Sequence, residues 1–214
     1  MVQTIVFLAL CIALAALGSL GGARWLARLY ASDRDALSFP ERTAGQERRH
    51  VPLLFAALLV LFSWTLLTMR HLEPRSLAFL LVFQCFLVLY TVTDLEQQVI
   101  FDRMLAPFAL IGLLSLPLLG RVASDHLLAA LAGGGIFLAL AIVTRGGIGG
   151  GDIKLIAALG LWLGTDQLLA VACTGILLGG AAALVLLLTK KRSRGEFFAY
   201  GPYFTLAALV LTLV

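Results

Sequence analysis

Charge is scarce in this sequence: Asp, Glu, Lys and Arg together make up 13% of 214 residues, while 61% are hydrophobic. Soluble domains are about half apolar and about a quarter charged. A single soluble core cannot absorb this much apolar surface, so lipid must cover the rest. Cysteine is also sparse. Cys11, Cys85 and Cys173 lie far apart, each inside an apolar run, and no C-x-x-C spacing occurs. That excludes a zinc ribbon and a disulfide framework, and it leaves no expected metal site. Gly-Lys-Ser/Thr is missing, which excludes a phosphate-binding P-loop. No stretch outside the apolar runs is long enough for a soluble domain. The longest, Gly21 to His50, is about 30 residues and too short to build its own core. His50, His71 and His126 all fall at the edges of apolar runs, so histidine catalysis has little support.

What the chain does have is a succession of long apolar segments. A helix needs about 20 apolar residues to cross a bilayer core. Eight segments are expected, near Val2–Leu20, Pro52–Met69, Leu77–Thr93, Met104–Leu119, His126–Thr144, Ile153–Leu163, Gln167–Thr189 and Phe197–Val214. The sixth is too short to span alone and reads as a half-helix, which protein-lined surroundings tolerate. The first has no positive n-region, and its basic residues follow it, so an anchor is expected rather than a cleaved signal peptide. The fold class is an all-α, polytopic transmembrane helix bundle.

The formal net charge of +4 is then a matter of topology, and no nucleic-acid partner is expected. With the N-terminus outside, 13 of the 16 Lys and Arg fall in inside connections, among them Arg24, Arg28, Arg103, Arg145, Lys154 and Lys190. Only Arg70, Arg75 and Arg121 fall outside. The even number of spans then places both termini on the non-cytoplasmic side. The basic Gly21–His50 loop suits anionic headgroups, or it is simply solvated. Small-residue pairs such as Gly175 and Gly179 read as sites of close helix packing.

Two places break the apolar pattern. One is Thr93-Asp94-Leu95-Glu96-Gln97-Gln98-Val99-Ile100-Phe101-Asp102-Arg103, directly after the third span. The other is the glycine-rich run Gly146 to Gly151, followed by Asp152-Ile153-Lys154 at the start of the sixth segment. A carboxylate near membrane depth is costly and usually faces a protein interior or a water-filled cavity. The charge-derived topology puts both loops on one side, which permits Asp94 and Asp152 to meet. Two close carboxylates share a proton. The ionised member can activate a water, and the protonated one can polarise a scissile carbonyl. The glycines before Asp152 let a substrate backbone approach. Read singly, each feature has a plainer alternative: Asp152 as a helix cap, Asp94 as a snorkelling interface residue.

The run Gly149-Gly150-Gly151-Asp152-Ile153-Lys154-Leu155-Ile156-Ala157-Ala158-Leu159-Gly160-Leu161-Trp162-Leu163-Gly164 closely resembles the G-x-G-D segment of type IV prepilin peptidases, which reads G-x-G-D-x-K-L-x-A-A-x-G-x-W-x-G. Asp94-Leu95 through Ile100, then Asp102, is similar to that family's D-L-x-x-x-x-I-P-D motif, with Phe101 in place of proline and the expectation of a differently shaped loop. Tyr200-Gly201-Pro202-Tyr203-Phe204 is similar to its F-G-P segment. The likeness covers roughly residues 91–214.

The resemblance implies a cytoplasm-facing aspartyl endopeptidase of the bacterial inner membrane. It would cut the basic leader of prepilins or pseudopilins after a glycine, with Asp94 and Asp152 as the catalytic pair and no cofactor. Glu96 and Asp102 become candidate contacts for the cationic leader, or solvated loop charges. Gly149, Gly151, Lys154, Gly201 and Pro202 become site-shaping candidates. The peptidase domain would span 52–214. Residues 1–51 would hold one span and the basic loop, a vestigial or absent form of the cysteine-bearing methyltransferase loop of many members, which puts methyl transfer in doubt. Other G-x-G-D intramembrane proteases resembling presenilin, and a non-enzymatic scaffold or transporter, are the competing classes.

Overall fold

The computed structural model describes residues 2–69, 71–189 and 200–213, with only the backbone for 2–6 and 187. Seven α-helices run in order: α1 Val2–Ser32, α2 Thr43–Thr68, α3 Pro74–Gln97, α4 Asp102–Leu118, α5 Ala123–Val143, α6 Gly150–Leu188 and α7 Gly201–Leu211. Among the described residues there is no strand. Five stretches are long and apolar enough to cross a membrane: Phe7–Ser32, Pro40–Thr68, Pro74–Gln97, Ala123–Val143 and Gly150–Leu186. Arg70, Lys190 to Arg194 and the expected start of the last span at Phe197 lie outside the described residues. By packing, the chain divides into two compact units, Met1–Val99 and Ile100–Val214.

In the first unit α1, α2 and α3 pack on one another. One stripe of α1, Cys11, Ala15, Ser19, Leu26 and Tyr30, is buried, at the three- and four-residue spacing of a helix face. A Cβ on Gly18 would stand 2.9 Å from Leu58, and one on Gly22 2.9 Å from Leu89. These two positions are therefore where α2 and α3 seat their leucines. Between α2 and α3, Gln84 Nε2 donates to Thr65 Oγ1 at 2.7 Å, both side chains buried.

The expected basic loop is largely helical. α1 continues twelve residues past Leu20 and α2 begins seven before His50, so only 33–42 lie outside the α-helices. The reason is amphipathicity. Leu26, Leu29 and Tyr30 stay buried while Arg24 and Arg28, four residues apart, face outward. Hydropathy stops at the first arginine; the helix has no reason to.

In the second unit α6 is the axis, against which α4, α5 and α7 pack. Trp162 of α6 stacks on Phe108 with ring centroids 5.3 Å apart, and its indole N–H donates to the Phe108 carbonyl at 2.9 Å. α5 crosses α6 so closely that a Cβ on Gly160 would lie 2.5 Å from the Ala130 backbone nitrogen. Gly175 accepts the ring of Phe204 from α7 and Gly179 that of Tyr200 just before it, which makes them packing positions as expected.

The two segments read at 153–163 and 167–189 form one continuous element broken at Gly164, which takes φ 76 and ψ −178. The break frees backbone groups that must find partners. His126 Nδ1 donates to the Leu161 carbonyl at 3.0 Å, and Arg121 donates to the Trp162 carbonyl at 2.6 Å. On the other side the Thr165 N–H donates to the Asp125 carboxylate at 3.2 Å, and Thr165 Oγ1 donates to it at 2.5 Å. Partial burial holds the Arg121 guanidinium below its ordinary pKa. Irregular backbone thus lies at the end of the half-helix, at Gly164, as well as in the 144–149 segment before its start.

Candidate active site

Asp94 lies in the last turn of α3 and is buried, 4% exposed. The helix stops three residues later because Gln98 takes the left-handed conformation, φ 53 and ψ 39, and its N–H closes on the Asp94 carbonyl at 2.9 Å. The turn is anchored by a cluster of buried polar groups from all three helices of the unit. Tyr30 Oη donates to Glu96 Oε2 at 3.1 Å, and His50 Nε2 donates to the same oxygen at 2.8 Å. Gln46 Nε2 donates to the Glu96 carbonyl at 3.3 Å. The Gln97 amide accepts from Phe39 N at 2.9 Å, donates to the Phe39 carbonyl at 3.0 Å and donates to Gln46 Oε1 at 2.6 Å.

Glu96, expected as a leader contact or a solvated loop charge, is therefore partnered inside the fold through Oε2. His50, expected at a loop edge, is fully buried inside α2. The Gln46–His50 spacing of four residues would have put both on one helix face, but reading that stretch as loop hid the signal. Among the described residues His50 Nδ1 has no hydrogen-bond partner.

Asp152 lies in the first turn of α6 and is likewise buried, 5% exposed. The helix begins at Gly150, so Asp152 is its third residue rather than the cap before it. Its carboxylate accepts from the Gly149 backbone, while the Gly149 carbonyl accepts from Ile153 N–H at 3.3 Å. This is half of a capping box: the third helical residue ties back to the backbone of the capping position, and the glycine there has no side chain to return the bond. It fixes where the carboxylate starts from and still leaves it lone pairs for another donor.

The entry to α4 is fastened to the same helix start. A Cβ on Gly151 would be 3.1 Å from Ile100 Cβ, so the glycine admits the Ile100 side chain. Lys154 Nζ donates to both carboxylate oxygens of Asp102, at 2.7 and 2.8 Å. Asp102 and Lys154, expected separately as leader contact and site-shaping residue, are thus paired with each other. Phe101, where proline is usual, takes φ −75 and ψ 130, which is the backbone a proline would hold. The substitution leaves that residue's backbone in a proline-like conformation, so the expected change of shape is not seen there. Gly201 and Pro202 are buried at the start of α7. Proline is suited to that position because its nitrogen would have no helical partner.

Asp94 and Asp152 belong to different units. Among the described residues, no group of three or more His, Cys, Asp or Glu side chains is arranged to hold a metal ion.

Residues 81–184, which include both aspartates, match the model of the type IV leader peptidase family. The chain is 31% identical over 140 residues to the prepilin leader peptidase/N-methyltransferase of Xanthomonas campestris pv. campestris, covering 61% of the chain and 48% of that protein. It is 34% identical over 125 residues to the protein of that name from Bacillus subtilis, covering 56% and 49%, and 28% identical over 137 residues to that from Escherichia coli, covering 61% and 60%. The chain spans about half the length of the first curated relatives it matches. No solved structure matches it significantly. The names of these leader peptidases include N-methyltransferase, so they lend no support to the doubt about methyl transfer. The five long apolar helical stretches, together with the likeness to leader peptidases, make the chain a multi-pass membrane protein.

Proposed function

We propose that this chain is an aspartyl endopeptidase of the bacterial inner membrane that removes the basic leader of prepilins or pseudopilins. Asp94 and Asp152 act as the catalytic pair, and the cut follows a glycine at the cytoplasmic face. The observation that carries this reading is that both aspartates fall within the matched stretch 81–184 and that each is buried in a terminal turn of its helix. Burial of an acid at a helix end is costly unless it serves chemistry or is fully partnered.

In the mechanism one carboxylate is ionised and takes a proton from water as that water attacks the scissile carbonyl carbon. The other is protonated and donates a hydrogen bond to the carbonyl oxygen, stabilising the charge that develops there. Protons then pass to the leaving amine as the C–N bond breaks. Neither metal nor cofactor takes part. The proposed topology has eight membrane segments with both termini outside, which sets both aspartates at the inner leaflet. Residues 52–214 form the peptidase domain. Gly149 keeps the approach to Asp152 open, Gly151 seats Ile100 beside it, and Gly201 and Pro202 shape its surroundings.

The test is co-expression with a prepilin in membranes, following leader removal on a gel. Processing is expected with the native chain and lost in both Asp94→Asn and Asp152→Asn. Full processing by either variant rejects the pair.

A further inference from the structure

The strongest feature outside the two aspartates is the polar cluster under the last turn of α3. A fully buried histidine held against a carboxylate that is only 18% exposed is expensive to keep, and α1–α3 already share an apolar interface. The cluster is also one-sided in what it holds. Tyr30, Gln46, His50, Ser38 N and Phe39 all bond to Glu96 or Gln97, which share the terminal turn with Asp94. Those are the residues at which a helix end frays, since its last carbonyls lack helical partners. Here the Glu96 carbonyl accepts from Gln46, and the Gln97 carbonyl accepts from Ser38 N–H at 3.3 Å. Two side-chain donors converge on the single oxygen Glu96 Oε2.

The geometry points to Glu96, with Tyr30 and His50, as the positioning residues of Asp94: they hold the terminal turn of α3 in place so that the Asp94 carboxylate is set before substrate arrives. This rests on Asp94 being catalytic. Glu96 acts through the backbone it pins and touches no substrate. It differs from a leader contact in what its loss does. A misplacement of about 1 Å at a reacting group costs on the order of 100-fold in rate, whereas a lost leader contact weakens binding and raises KM.

The experiment is a kinetic comparison of the full-length chain and its Glu96→Ala, Glu96→Gln and Tyr30→Phe variants on a purified prepilin, with thermal melting of each in detergent. Glu96→Ala is expected to lower kcat roughly 10- to 100-fold with KM within about twofold of the native value, and Tyr30→Phe to lower kcat less. Glu96→Gln retains an oxygen for both donors and is expected to recover most of the rate. A raised KM with unchanged kcat would make Glu96 a leader contact and overturn the proposal, as would native kinetics in Glu96→Ala. If Glu96→Ala does not fold, native kinetics in Tyr30→Phe together with a Glu96→Gln that is folded but as slow as an Asp94 variant overturns it, because charge rather than geometry would then matter. A native chain that leaves every prepilin uncut would refute the peptidase reading, a result distinct from all of these.

Discussion

Gly164→Ala probes the break in α6, which decides where the helix bearing Asp152 ends. At φ 76 and ψ −178 the backbone occupies a region that is essentially glycine-only, and holding another residue there costs on the order of 1–3 kcal/mol. The added methyl also meets the Asp125 carboxylate, which caps Thr165 N–H and Oγ1 across the break. Either the methyl displaces that cap, or the backbone relaxes toward a continuous helix. In the second case the Leu161 and Trp162 carbonyls leave His126 and Arg121. A destabilisation of about 2 kcal/mol corresponds to a melting shift of about 4–8 °C for a domain of this size. The assay is a thermal melt in detergent with leader cleavage measured in parallel. Gly135→Ala is the control, because a Cβ there meets nothing within 4 Å and the residue lies inside α5. There alanine should stabilise by roughly 0.4–1 kcal/mol. Equal melting temperatures for Gly164→Ala and the native chain would refute the idea that the break needs glycine.

Gly160→Ala should destabilise by about 1–3 kcal/mol, the usual range for overpacking. The new methyl would meet the Ala130 backbone at 2.5 Å, and a backbone cannot swing aside; a melt checks this. Thr65→Val removes the partner of Gln84 Nε2 between α2 and α3, with an expected cost of roughly 0.6 kcal/mol and at most about 1.7. The double variant Thr65→Val with Gln84→Leu should recover most of that, because no donor is left stranded. Asp102→Asn and Lys154→Gln, singly and together, should change melting by less than about 1 kcal/mol, since the pair is mostly exposed, with side-chain exposures of 70% and 56%. A cycle showing strong coupling would mean that the α4 and α6 starts depend on this pair. Asp94→Asn and Asp152→Asn should each melt no lower than the native chain, because the ionised member loses a buried charge and the protonated one exchanges one neutral polar group for another, even as leader cleavage stops.

The sequence by itself determined that the chain is helical and lives in lipid, because long apolar runs admit no other backbone arrangement in a bilayer. It also marked Asp94 and Asp152, since acids at the ends of apolar runs stand out against everything around them. The glycine pairs were legible as packing sites for the same reason: small residues in an apolar helix have little else to do. What it could not reveal were features that depend on several distant residues at once. The 21–50 stretch looked like a loop because hydropathy reports charge, whereas the helix there is held by the buried face of α1 through Tyr30 and by His50 in α2. Glu96 looked like a surface acid because its partners, Tyr30 and His50, are 66 and 46 residues away. Asp102 and Lys154 looked like two separate candidates until the fold paired them. Gly164 could be read as one more small residue. Only the tertiary structure, with Arg121, Asp125 and His126 brought to the free ends of a broken helix, decided that α6 ends its first half there.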